Sequence, residues 1–162
     1  MIPKIKKILF ANDLSYNSRF AFAHAACLAH CYDARVTVLH VLEEISESAD
    51  ISLGSYFGET KWKLLKKDIS QEAIDMLEKR VSRFCREVNE ELGAHAFETD
   101  DIVVKRGKPV ETILQEAKAR TCDLIVMGTH GHGGFREAVM GSNSKRVIRQ
   151  SKIPVLIVPL PG

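Results

Sequence analysis

Residues 128 to 145 read GTHGHGGFREAVMGSNSK, with five glycines directly after the apolar run Leu124 to Met127 and directly before a stretch with helical patterning. Glycine costs a chain conformational order and supplies no side chain to pack, so a cluster of them beside the core implies a close approach to backbone. A strand leading into such a loop and then into a helix is the unit from which nucleotide-binding α/β domains are built.

Working outward, strand-like and helix-like stretches alternate along the chain. Ile5 to Ala11 is a short apolar run ended by Asn12 and Asp13, and Ser15 stands where a helix N-cap belongs. From Arg19 to Tyr32, the residues Phe20, Ala23, Cys27 and Cys31 recur at helical spacing and predict one buried stripe. Arg35 to Leu42 is β-branched and strand-like. Residues 43 to 60 are acidic and serine-rich without a sustained period, which predicts a loop.

Lys61 to Leu92 steps by threes and fours through Trp62, Leu65, Ile69, Ala73, Met76, Leu77, Val81, Phe84, Cys85, Val88 and Leu92, a long amphipathic helix with Gly93 as its stop. Asp101 to Arg106 predicts a third strand. A short helix follows with Val110, Ile113, Leu114 and Ala117 on one face, and Asp123 to Met127 predicts a fourth strand. Ser142 can cap a helix running to Arg149, and Pro154 to Pro159 is the last strand. The order βαβαβαβαβ, with near-continuously apolar strands, predicts an α/β fold: an open, doubly wound, five-stranded parallel sheet with helices on both faces.

The totals agree. The chain has 162 residues, 45% of them hydrophobic and 27% charged, which suits one domain spanning 1–162. The net charge of +2 is interspersed, so neither a nucleic-acid arm nor a polybasic membrane patch is expected. No apolar run approaches the ~20 residues of a membrane span, and the amino-terminal stretch lacks a signal-peptide cleavage pattern. The expectation is a soluble, cytoplasmic protein whose four cysteines are reduced thiols.

In a doubly wound sheet, ligands bind beyond the carboxyl ends of the strands where strand order reverses. The glycine segment lies at that edge, and the helix after it points its positive end there, a combination suited to phosphate. The P-loop pattern fails because Gly141 is followed by Ser142 and Asn143. The dinucleotide fingerprint fails because Arg136 occupies its third glycine position.

The spacing that does fit is G-x2-G-x9-G-[ST], through Gly128, Gly131, Gly141 and Ser142. Here the chain resembles the universal stress protein family, in its ATP-binding branch. The likeness takes in the strand ending in Asp13 followed by Ser15, the strand ending in His40 and Val41, DLIVMGTHG (123–131) and SKIPVLIVP (151–159). It implies an adenine nucleotide alpha hydrolase-like sheet of order 3-2-1-4-5. By matching positions, Ala11 and Asp13 would meet ribose and adenine, and Val41 would hold the adenine edge. Met127, Gly128, His130 and Gly131 would line the ribose and first phosphates, and Gly141, Ser142, Asn143 and Ser144 would bind the outer phosphates.

The implied ligand is ATP, or ADP or AMP, with Mg2+ or Mn2+ held by the phosphates. Two departures from the family pattern are Asn143, where a small apolar or β-branched residue is common, and Ala11, where proline is frequent.

The simpler readings stand beside these. Asp13 can be a turn carboxylate, and Lys145 and Arg146 can be solvated helix residues. His130 matches a family position, whereas His132 reads as exposed, and neither has a carboxylate partner in sequence that would support acid–base catalysis. His24, Cys27 and Cys31 share one helix face but read as core packing rather than a metal site, and Cys85 and Cys122 read as core as well.

The resemblance also implies a homodimer through the strand Pro154 to Pro159. The function expected is a nucleotide-dependent regulator or sensor in stress response with an unknown signalling partner, at most a weak ATPase. The alternatives are a slow ATPase or phosphotransferase, and a nucleotide-free dimeric interaction module.

Overall fold

The computed structural model describes residues 3–15, 18–93, 99–129 and 140–159, the side chains of 68–70 excepted. Five strands, β1 (Lys7–Asn12), β2 (Arg35–Glu43), β3 (Thr99–Gly107), β4 (Leu124–Gly128) and β5 (Val155–Val158), form one sheet in the order β3-β2-β1-β4-β5. Every neighbouring pair is parallel, with Phe10 opposite Val38 on one side and Val126 on the other. The predicted doubly wound sheet is the observed one.

Because side chains alternate across a strand, each inner strand feeds two cores. Ile8, Phe10, Val36, Val38 and Val126 pack beneath the helices α1 (Ser18–Tyr32) and α3 (Glu59–Leu92). Leu9, Leu39, Ile125 and Met127 pack beneath α4 (Pro109–Ala119) and α5 (Ser142–Gln150). This two-sided burial is why the strands read as unbroken apolar runs.

Three expectations are corrected by the packing. In α1 the buried face is Ser18, Ala21, Phe22, Ala25, Ala26 and Ala29, while Cys27 and Cys31 are exposed. Phe22 decides the orientation: its ring packs 5.2 Å from Phe10 and 5.6 Å from Phe84, and the alanines around it let the helix sit close to the sheet. Phe20 and Ala23 stay half-buried at the edge of that face, Phe20 against the core, and the outer end of the expected stripe, Cys27 and Cys31, turns to solvent. In α3 the described side chains of the stripe are buried or half-buried apart from Met76, which is 66% exposed because Ile74 takes the inward position; the Ile69 side chain lies outside the described residues.

The third correction concerns residues 43 to 60, where a helix, α2 (Glu47–Phe57), replaces the expected loop. Ser46 caps it by accepting the Ala49 N–H, and Glu47 and Asp50 suit its positive end. The Ser52 and Ser55 hydroxyls fold back onto the carbonyls of Ser48 and Ile51, so a serine-rich sequence is satisfied within a helix. Docking comes from α3: the Trp62 indole N–H and Lys66 Nζ both donate to Asp50 Oδ1, at 2.9 and 2.7 Å, and Phe57 stacks on Trp62. Gly58, at φ 84°, provides the break between the two helices.

Candidate nucleotide site

The carboxyl ends of β1, β2 and β4 converge with the start of α5 around a cleft of about 300 Å3, at the point where the chain leaves β1 in opposite directions across the sheet. That volume is at the lower end for small-molecule sites. Its wall is apolar along Ala11, Leu39, Val41, Pro109, Ile113 and Met127, and polar at Asp13, Ser18, His40, Glu43, Asn143 and Ser144.

The exit from β1 is a pair of side-chain turns. Asn12 Oδ1 accepts the Leu14 N–H at 2.9 Å, which holds Leu14 in the left-handed region at φ 61°. Asp13 Oδ1 accepts the Ser15 N–H at 2.9 Å and the Ser15 hydroxyl at 2.7 Å, and the Ser18 hydroxyl also donates to it. Ser15 Oγ in turn accepts the Ser18 N–H, the capping bond its position predicts. Asp13 is thus a turn carboxylate and a cleft residue at once: one oxygen fixes the entry to α1, while Oδ2 has no hydrogen-bond partner among the described residues.

At the end of β2, His40 Nδ1 lies 2.8 Å from the Asn12 carbonyl. A carbonyl oxygen only accepts, so Nδ1 carries the proton and the ring is held against β1. On the far wall, Gly107 lets β3 turn into α4 without a side chain, because a Cβ there would stand 2.5 Å from Thr112 Oγ1. That turn seats Pro109 and Ile113 on the cleft.

The start of α5 differs in detail from expectation. The N-cap is Gly141, whose carbonyl accepts the Lys145 N–H, and Ser142 is the first helical residue with no capping bond. The helix begins one residue early because the Gly141 N–H donates to the Thr129 carbonyl at 2.7 Å and ties it to the end of β4. Ser144, nearly fully buried, donates its hydroxyl to the Gly128 carbonyl at 2.9 Å. Gly141 N–H and Ser144 O–H therefore build the site rather than stand ready as donors.

The backbone N–H groups of Ser142, Asn143 and Ser144 have no partner among the described residues, and α5 has no acidic residue in its first turn. A helix N-terminus in that state attracts anions.

Of the residues singled out in the sequence, Ala11, Asp13, Val41, Met127, Gly128, Asn143 and Ser144 line the cleft, and Gly141 and Ser142 flank it. His130 and Gly131 lie outside the described residues, as do His132, Gly133 and Gly134. Sequence reasoning missed Asn12, Ser18, Leu39, His40, Glu43, Pro109 and Ile113 as lining residues. The first five lie within a few residues of Asp13 or Val41, whereas Pro109 and Ile113 reach the cleft only through the β3–α4 crossover. Asp123, from the same stretch as the glycines, serves the opposite end of the sheet, where its Oδ2 accepts the N–H groups of Lys6 and Lys7.

An open parallel sheet of order β3-β2-β1-β4-β5, with a half-apolar, half-polar cleft at its switch point, defines a doubly wound α/β domain. The model of the universal stress protein family matches residues 4–159, and the chain belongs to that family. The universal stress protein in QAH/OAS sulfhydrylase 3'region of Thermus aquaticus is 31% identical over 153 residues, 94% of this chain and 98% of that one.

Universal stress protein MJ0577 of Methanocaldococcus jannaschii is 28% identical over 153 residues, 94% of each chain. The solved structure of MJ0577 superposes with a TM-score of 0.69, covering 98% of this chain and 99% of that one. A universal stress protein crystallised in complex with cAMP shares the fold at a TM-score of 0.58 and 20% identity, over 96% of this chain and 98% of that one.

Proposed function

We propose that the cleft binds an adenine nucleotide, ATP foremost, and that this protein is a nucleotide-dependent regulator or sensor in stress response. The observation that carries the reading is the pairing, across one cleft, of an apolar slot with three N–H groups of α5 that have no partner among the described residues. The slot between Val41, Leu39, Ile113 and Met127 suits a purine face, and Asp13 Oδ2 can accept from ribose hydroxyls but would repel phosphate. Phosphate belongs at Ser142, Asn143 and Ser144, where the helix end is positive. Any Mg2+ or Mn2+ would be held chiefly by the phosphates and would screen their charge.

The cAMP complex of a structural relative supports an adenine nucleotide as the ligand class. A homodimer through β5 also belongs to this reading, on the contrast between the sheet's two edges. The edge strand β3 carries Asp100, Asp101, Lys105 and Arg106, whereas β5 reads VLIV with no charge to discourage pairing.

The test is to release small molecules from freshly purified protein, identify them by ion-exchange chromatography, and then titrate ATP, ADP, AMP and cAMP calorimetrically. Ala11→Leu, which enlarges a side chain on the cleft wall, serves as the control. The expected result is binding by the wild type with a rise in melting temperature, and loss of both in the variant. A wild-type protein that leaves purification empty and binds none of the four nucleotides sinks the proposal.

A further inference from the structure

The outward face of α1 is left unexplained by the nucleotide reading. Cys27 and Cys31 stand one turn apart and both are exposed. Residues four apart on a helix have Cβ atoms about 5–6 Å from each other, within reach of one bridging ion. Both side chains leave α1 on the side away from its buried face of Phe22 and the alanines, where they are open to an incoming ion.

The other two cysteines differ. Burial pushes Cys85 up to about 12 and also raises Cys122, so these are inert core thiols. The exposed pair carries no comparable burial, and the helix beneath it is fixed by Phe22 and its alanines, so little ordering is needed to bring the sulfurs together.

We propose that Cys27 and Cys31 form a two-thiolate site for a soft monovalent cation, Cu(I). The choice of ion follows from the ligand number. Among the described residues no three His, Cys, Asp or Glu groups are placed to hold one metal, which disfavours tetrahedral zinc and the oxygen-ligated cations. Thiolate softness selects Cu(I), which accepts two sulfurs in a near-linear arrangement.

His24 lies on the same stripe, with Nδ1 held 2.8 Å from the Phe20 carbonyl, and is not counted as a ligand. On binding, two S–H bonds break, two protons pass to solvent and two S–Cu bonds form, with no change in oxidation state. Affinity accordingly falls as pH falls.

The experiment is an anaerobic Cu(I) titration of the reduced, full-length protein against bicinchoninate, followed by X-ray absorption of the loaded sample. The expected result is one Cu(I) per chain with two sulfur neighbours. Uptake is lost in Cys27→Ser and in Cys31→Ser, whose melting curves match the wild type because both sites are on the surface. It is kept in Cys122→Ser and His24→Gln.

Failure of the wild type to withdraw Cu(I) overturns the proposal, and so does retained uptake in the Cys27→Ser/Cys31→Ser double variant. Loss of uptake in His24→Gln, or one Cu(I) shared by two chains, overturns the two-coordinate intrahelical site.

Discussion

Replacing Gly107 with alanine sets two effects against each other, and the structure decides the sign. Gly107 is not in the left-handed region, so alanine is conformationally permitted and should stabilise by about 0.4–1 kcal/mol through the unfolded chain. Against this, the new Cβ would stand 2.5 Å from Thr112 Oγ1, and Thr112 is only 8% exposed, so the hydroxyl has little room to swing away. Overpacking of this kind costs about 1–3 kcal/mol, which exceeds the entropic gain over most of that range.

Chemical denaturation should therefore show Gly107→Ala to be destabilised. Each kcal/mol lost should lower the melting temperature by about 2–4 °C for a chain of this length. The Thr112→Ala change removes the clashing oxygen and leaves only Thr112 Cβ, which would lie at an ordinary 3.8 Å. The double variant should then be more stable than the sum of the single changes, a positive coupling read from a double-mutant cycle. Because this turn seats Pro109 and Ile113, nucleotide affinity should fall in Gly107→Ala and recover in the double variant. Wild-type stability in Gly107→Ala, or strict additivity in the cycle, would refute the argument.

Two further outcomes are expected. Burial pushes the Glu116 carboxyl up, but Lys105 and Arg120 together outweigh it and hold the group below its ordinary value. A carboxyl depressed on folding contributes stability above its unfolded pKa and loses it as pH falls through the folded one, so urea-derived stability should drop as the pH is taken below the ordinary carboxylate range, and Glu116→Gln should flatten that slope. Asp50→Ala removes the acceptor of both Trp62 and Lys66; since the ion pair is half-exposed, the global melting temperature should change little. The emission of Trp62, the only tryptophan, should shift to the red and α2 amides should exchange faster; an unchanged spectrum would mean that α2 docks by other contacts.

The sequence by itself determined the alternation of five apolar strands with helices. Burial on both faces of a parallel sheet demands near-continuous apolar runs, and Ile8 to Phe10, Val36 to Leu39 with the buried Thr37 inside it, and Leu124 to Met127 supply them. It also marked half of the cleft's lining, because β1, β2 and β4 end at that edge of the sheet in polar or glycine residues that local spacing reveals. The orientation of α1 was settled only in three dimensions: apolar residues lie all around that helix, and the choice between Phe20 and Phe22 depends on whether Phe10 and Phe84 are waiting across the gap.

The helix α2 was hidden for a similar reason. Its own pattern is weak, and its docking depends on Trp62 and Lys66, twelve and sixteen residues on from Asp50. Pro109 and Ile113 join the cleft because a right-handed crossover carries them there from the edge strand. Only the tertiary structure showed which helix-start groups remain for a ligand. The Gly141 N–H and the Ser144 hydroxyl are taken by carbonyls at the end of β4, contacts between residues 12 and 16 positions apart that no local pattern records.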